Sequence, residues 1–304
     1  MEVIDIHTHI YPAKISDKAT RATGSFYGLG MYAEQVYAST DRCHEGSAAT
    51  CGKAVPTGHI DTAPAGTACQ NGPAPGTAEQ LLGLTAGGPI TRHAVHSVAT
   101  SPTQVESIND FIIGECAAHP QFIGFGCMHQ DFEDPQAELI RIKAAGLKGI
   151  KIHPDIQRVN LDDDRLMKTY EVCERLGLAV ILHVGDFRYD YSHPGRLVGV
   201  LHSFPRLRVN AAHMGGWSIP EIGLDNLRDE NCFVDLSSTF AFVGLRRAKE
   251  LIKAYGPGRV LFGSDFPMGS PNREYELFMR LGLSSADNEK ILWRNAQDFL
   301  MIDL

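Results

Sequence analysis

No stretch of this 304-residue chain is apolar for long enough to cross a bilayer. The opening Met1-Glu2-Val3-Ile4-Asp5 lacks the basic flank and apolar centre of a secretory signal. Both absences point to a cytoplasmic protein with no membrane partner. Positive charge is also short: 28 Lys and Arg face 36 Asp and Glu, a formal charge of −8, which removes the electrostatic ground for a nucleic-acid partner. None of the seven cysteines (Cys43, Cys51, Cys69, Cys116, Cys127, Cys173 and Cys232) forms a Cys-x-x-Cys pair, which argues against a zinc ribbon or a thioredoxin-type motif. Their odd number suits free thiols rather than a disulfide framework. The first apolar run leads into His-Thr-His and not into a glycine-rich phosphate loop, which counts against an open doubly wound sheet.

What is present is ordinary globular composition, 43% hydrophobic and 21% charged, in a chain long enough for a large core. Eight short apolar runs can be read: Val3–Ile6, Ala94–Val98, Phe122–Cys127, Gly149–His153, Ala179–Val184, Val209–His213, Cys232–Leu236 and Arg259–Gly263. Each is nearly continuously apolar, as parallel strands buried on both faces require. Amphipathic stretches such as Pro135–Ala145, Asp163–Leu176 and Leu245–Tyr255 lie between them, with Gly146, Gly177 and Gly256 where helices should stop. Eightfold strand–helix alternation predicts an α/β fold, a single-domain (β/α)8 TIM barrel. Ser39 to Pro75 breaks the pattern. It is rich in Ala, Gly, Thr, Pro and Cys, shows no period, and reads as an irregular loop or insertion. His44, His59 and the nearby cysteines fit no zinc spacing.

Four strand ends carry chemistry. His7 and His9, two apart on the first strand, share a face. His183 follows Val180-Ile181-Leu182, His213 follows Ala211-Ala212, and Asp265 follows Phe262-Gly263-Ser264. Singly, each has a plain structural explanation. Together they converge on the face where barrel enzymes place their reactions. Imidazoles with a carboxylate suit a divalent cation with an open position.

This order of motifs resembles the amidohydrolase superfamily, and within it the branch containing aminocarboxymuconate-semialdehyde decarboxylase. The closing Lys290-Ile291-Leu292-Trp293-Arg294-Asn295-Ala296 is similar to that branch's last helix. The resemblance covers residues 1 to about 32 and about 76 to the end, and makes 33–75 an insertion after the first strand. It implies metal ligation by His7, His9, His183 and Asp265, with His213 and Asp265 as the catalytic acid–base groups. It implies one divalent ion, zinc ahead of manganese, with a second ion open.

Lys151 and His153 share a face of the fourth strand. His153 is placed in the substrate pocket. Lys151 is either a bridging ligand, as in some superfamily members, or an interior lysine paired with a carboxylate. Arg188 either grips a substrate carboxylate or pairs with Asp186 or Asp190. Trp217 forms a pocket wall or packs on a helix, and His193-Pro194 suits a helix start. His96, His119, His129 and His202 are read as structural or exposed. Hydrolysis of a C–N or C–O bond in a small carboxylate-bearing or cyclic substrate is placed first. Non-oxidative decarboxylation of an aromatic or unsaturated acid is second, and a non-catalytic binding barrel third. A small-molecule substrate is the expected partner, and a homodimer is left open.

Overall fold

The computed structural model describes residues 2–28 and 74–302. Most of the expected insertion, with Cys43, Cys51 and Cys69, lies outside the described residues. Eight parallel strands run in sequence order: β1 (Val3–His9), β2 (Ile90–His96), β3 (Phe122–Cys127), β4 (Gly149–Ile152), β5 (Ala179–Leu182), β6 (Val209–Ala211), β7 (Phe233–Asp235) and β8 (Val260–Leu261). The seam between β8 and β1 is closed by backbone bonds. The Ile6 N–H donates to the Phe262 carbonyl (2.9 Å) and the Asp265 N–H to that of His7 (2.8 Å). The expected barrel is present, with helices alternating between strands. Among the described residues no helix is long and apolar enough to cross a membrane.

Two apolar clusters divide the core. Ile4, Ile6, Ala94, Phe125, Ile181 and Leu261 come from five strands and meet one another, which only the barrel interior permits. The helix Asn295–Leu300 packs against this cluster, with Phe299 stacked on Phe125 at 6.1 Å. The larger cluster lies between strands and helices. At Gly149 the fit is closest, since a Cβ there would lie 2.1 Å from the Ala179 carbonyl oxygen and 2.5 Å from the Phe125 ring.

The helices begin and end on the expected signals. Asp134 caps Pro135–Ala144, and Asp163 caps Asp164–Leu176, which stops at Gly177 in left-handed backbone. The helix expected from Leu245 spans Thr239–Tyr255, with a break at Gly244 (φ 70°) just before the regular part. His193 accepts the Gly195 N–H through Nδ1 (3.1 Å), so His193-Pro194 is a helix start. Cys116, Cys127, Cys173 and Cys232 are free thiols, as expected.

Several strands end earlier than their apolar runs. The sixth and eighth stop at Ala211 and Leu261, and the chain then bends through left-handed backbone at His213 (φ 60°) and Asp265 (φ 60°). Non-glycine residues adopt such backbone at a cost of about 1–3 kcal/mol each, and it clusters at functional sites. Both residues are ones the sequence singled out.

Candidate metal centre at the barrel mouth

The first strand reaches the mouth through a bulge. Asp5 pairs with His93 and Thr8 with Val95, so three steps on β1 match two on β2. The extra residue shifts the side-chain phase. Ile4 and Ile6 fill the barrel interior, and the next pair directed at the mouth is His7 and His9. Asp5 holds the bulge, its Oδ1 accepting the backbone N–H groups of His7 (3.2 Å) and Ser264 (2.9 Å).

His7, His9 and Asp265 converge. Oδ1 of Asp265 lies 3.5 Å from Nε2 of His7 and 3.5 Å from Nε2 of His9, and Oδ2 accepts the Ser238 hydroxyl at 2.7 Å. Burial pushes the Asp265 carboxyl up, but the bond to His9 and the fields of His7 and His213 outweigh it, holding the group ionised well below the usual range. Burial, aided by the charge of Lys151, lowers the His7 imidazole to about 3. Burial likewise lowers His9, His183 and His213, so the mouth presents neutral imidazoles around one carboxylate.

Carboxylates behind the rings set their orientation. Nδ1 of His7 faces Oδ2 of Asp235 at 3.0 Å, which fixes the proton on Nδ1 and leaves the Nε2 lone pair directed at the mouth. Asp235 also accepts the Asn210 amide (2.7 Å), the His213 N–H (3.0 Å) and the Ser237 hydroxyl. His213 donates Nδ1–H to the Ser237 carbonyl (3.1 Å), and its Nε2 lies 3.0 Å from Nδ1 of His183. On the far side of His183, Nε2 lies 3.6 Å from Oδ2 of Asp155, which the Ser192 hydroxyl holds at 2.7 Å.

These observations fit a divalent ion. Buried neutral nitrogens face one another and one ionised carboxylate, with carboxylates behind the rings. Among the described residues, three groups of donors lie close enough to hold an ion: His7, His9 and His96; His7, His213 and Asp235; and His153, Asp155 and His183. Lys151 is buried, with Nζ 3.0 Å from Nε2 of His7; burial lowers its ammonium to about 8. Among the described residues it forms no salt bridge, so the carboxylate pairing, one of its two readings, is not formed.

Aromatic side chains wall the mouth. Helix α1 (Ala13–Tyr27) ends at Gly28 in left-handed backbone and delivers Phe26 and Tyr27. The Tyr27 hydroxyl lies 2.5 Å from Nε2 of His153 and 3.3 Å from Nδ1 of His183, and its ring packs on Trp217 at 4.6 Å. His153 stacks on His183 at 4.0 Å. His153 and Trp217 are thus at the mouth. Arg188 directs its fork at Asp186 (2.9 and 2.5 Å), one of the pairings read from the sequence, and donates to the Phe26 carbonyl. Its guanidinium lies over Phe26 and Trp217 at 5.0 and 5.6 Å. An adjoining cavity of about 370 Å³ is lined by Phe26, Asp155, Ile156, Arg158, Tyr189 and Tyr191.

The loops after β5 and β6 touch backbone to backbone. Trp217 and Ser218 donate to the carbonyls of Val184 (2.8 Å) and Gly185 (2.9 Å). A Cβ on Gly185 would sit 2.4 Å from the Gly216 Cα.

Sequence reasoning missed Asp5, Tyr27, Asp155, Asp235 and Ser237. His96, read from the sequence as structural or exposed, is fully buried, with its ring 4.3 Å from that of His9. Ala94-Val95-His96 bears the same mark as Ile181-Leu182-His183, a histidine closing an apolar strand. His202 is exposed as expected, beside Glu230.

Residues 4–302 match the family model described as Amidohydrolase. A 2-amino-3-carboxymuconate-6-semialdehyde decarboxylase of Dictyostelium discoideum is 28% identical over 239 residues, 64% of this chain and 66% of the relative, just under two thirds of its length. Among solved structures, a dihydroxybenzoic acid decarboxylase from Polaromonas sp. JS666, with bound manganese and the inhibitor 2-nitroresorcinol, aligns over 99% of this chain and 97% of its own at 17% identity and TM-score 0.67. A probable 2-pyrone-4,6-dicarboxylic acid hydrolase from Acinetobacter baumannii, with citric acid bound, aligns over 99% and 100% at 15% identity and TM-score 0.64. At such identities the two structures establish the shared fold.

Proposed function

The chain belongs to the amidohydrolase family, and on that premise we propose that it is a metal-dependent non-oxidative decarboxylase of a planar aromatic or unsaturated acid. The observation that carries this reading is the 28% identity over 239 residues to a decarboxylase. The sequence alone puts hydrolysis first; this similarity reverses the order, and the manganese-bound dihydroxybenzoic acid decarboxylase supports the reversal.

In this reading His7, His9, His183 and Asp265 hold one divalent ion, for which zinc and manganese both suit the donors. When bound, the ion polarises a substrate oxygen as a Lewis acid. Phe26, Tyr27 and Trp217 orient a flat acid and exclude water. His213 keeps Nδ1 on the Ser237 carbonyl, which leaves Nε2 as the atom that moves a proton. His213 Nε2 first takes up a proton from solvent; as the carboxylate leaves as CO2, the bonding pair stays on the ring or vinyl carbon and takes that proton, returning the imidazole to its neutral form. Burial disfavours the charged imidazole, so a proton placed on Nε2 is readily given up. Asp265, a buried carboxylate 3.5 Å from Nε2 of both His7 and His9, supplies a negative charge suited to holding a cation.

The test is turnover of a panel of dihydroxybenzoates, carboxymuconate-type acids and lactones by the metal-loaded protein, in D2O and separately in 18O-water. We expect CO2 and a single deuterium at the carbon that lost it. Entry of 18O into an acyl product without CO2 would sink the decarboxylase reading and restore hydrolysis. His183→Ala should abolish stoichiometric metal binding; retained metal would remove His183 from the ligand set.

A further inference from the structure

His96 is a buried histidine that the proposed chemistry leaves unused. It ends β2 beside His9, its register partner on β1. Its ring stands edge-on to that of His9, 4.3 Å between centroids at 89°, and 5.1 Å from that of His7. Neither ring nitrogen finds a hydrogen-bond partner among the described residues, whereas His7, His9, His153, His183 and His213 each have at least one nitrogen engaged. A neutral imidazole brings one N–H and one lone pair. Buried polar atoms are nearly always paired, so a ring with both nitrogens unmet calls for a partner. One donor nitrogen each from His96, His7 and His9 lie within 4.8 Å of one another.

We propose that His96 is a further ligand of the ion held at His7 and His9, so that β1 and β2 together supply three imidazoles beside Asp265. The proposal rests on the reading that the mouth binds a divalent ion. It also concerns which ion. Imidazole donors suit zinc and cobalt, whereas oxygen donors suit manganese. The added imidazole should therefore tilt the site from manganese toward zinc.

The experiment uses the full chain as wild type, His96→Phe, His96→Ala and His9→Ala. Phenylalanine fills the volume of the ring without a donor, and alanine serves if the larger ring disturbs folding. Zinc and manganese affinities are read by chelator competition, and cobalt(II) is added to the metal-free protein for its visible spectrum. We expect wild type to take up metal stoichiometrically and His9→Ala to lose it. His96 variants should bind zinc at least ~10-fold more weakly, the lower end of what even an outer partner of a ligand contributes. Their cobalt bands should shift and their zinc-over-manganese preference should fall. Wild-type stoichiometry together with variant affinities within twofold and superimposable cobalt spectra would overturn the role of His96 alone. Failure of wild type to bind any of the three ions would overturn the metal reading itself, and this proposal with it.

Discussion

Nδ1 of His7 on the first strand lies 3.0 Å from Oδ2 of Asp235 on the seventh, across the seam where the barrel closes. The carboxylate fixes the tautomer of an imidazole whose other nitrogen faces Asp265. Asp235→Asn keeps the shape and removes the charge. Metal affinity should fall about 10- to 100-fold, the usual effect of losing such a partner. Metal content measured after dialysis against graded chelator checks this, and unchanged retention would show that His7 needs no carboxylate behind it.

His213→Asn retains an N–H for the Ser237 carbonyl but has no group that titrates at the mouth. We expect kcat to drop by roughly 10²- to 10⁴-fold, the usual contribution of a positioned acid or base. Metal content should be unchanged. Full kcat with metal bound would take His213 out of proton transfer.

His93 gives a pH signature away from the mouth. Its buried ring donates to the Thr85 hydroxyl (3.2 Å), and burial lowers it from 6.5 to about 4. The folded state resists protonation that the unfolded chain accepts below about pH 6.5. Its contribution is therefore present above that pH and is lost as pH falls toward 4, on the order of 3 kcal/mol across the interval. Urea unfolding of metal-free protein at pH 4.5 to 7 should show stability rising with pH. His93→Gln should flatten that rise; an identical slope would place the effect elsewhere.

Gly149→Ala tests the closest approach in the barrel, where the new methyl would sit 2.1 Å from the Ala179 carbonyl oxygen. The cost should reach at least the ~3 kcal/mol upper range of core overpacking. A urea midpoint equal to wild type would mean that β4 and β5 separate without penalty.

The barrel was legible because eight buried strands leave eight apolar runs, and parallel strands hide no alternation. Where the strands stop was not, since His213 and Asp265 leave them through backbone that apolar content does not mark. His7 and His9 could be paired by the two-residue period. The bulge that aims them depends on Asp5 reaching Ser264, a contact formed only when the ends of the barrel meet. Asp235 was hidden for the same reason. Tyr27 arrives from a helix, at a distance no strand pattern predicts. His96 bore the same mark as His183; the shorter list of ligands left it without a role, and only its two unpartnered nitrogens distinguish it from an ordinary core histidine.

The backbone contact between Gly185 and Gly216 has a consequence for how this site can diversify. The segments carrying His183 and His213 are clasped together, with Val184 and Gly185 each accepting a backbone N–H from the opposite segment. Neither histidine can drift without dragging the other. Substitutions on the side of the mouth furnished by Phe26, Tyr27 and Tyr189 would leave that clasp intact. There, new side chains can be tried while His183 and His213 keep their spacing.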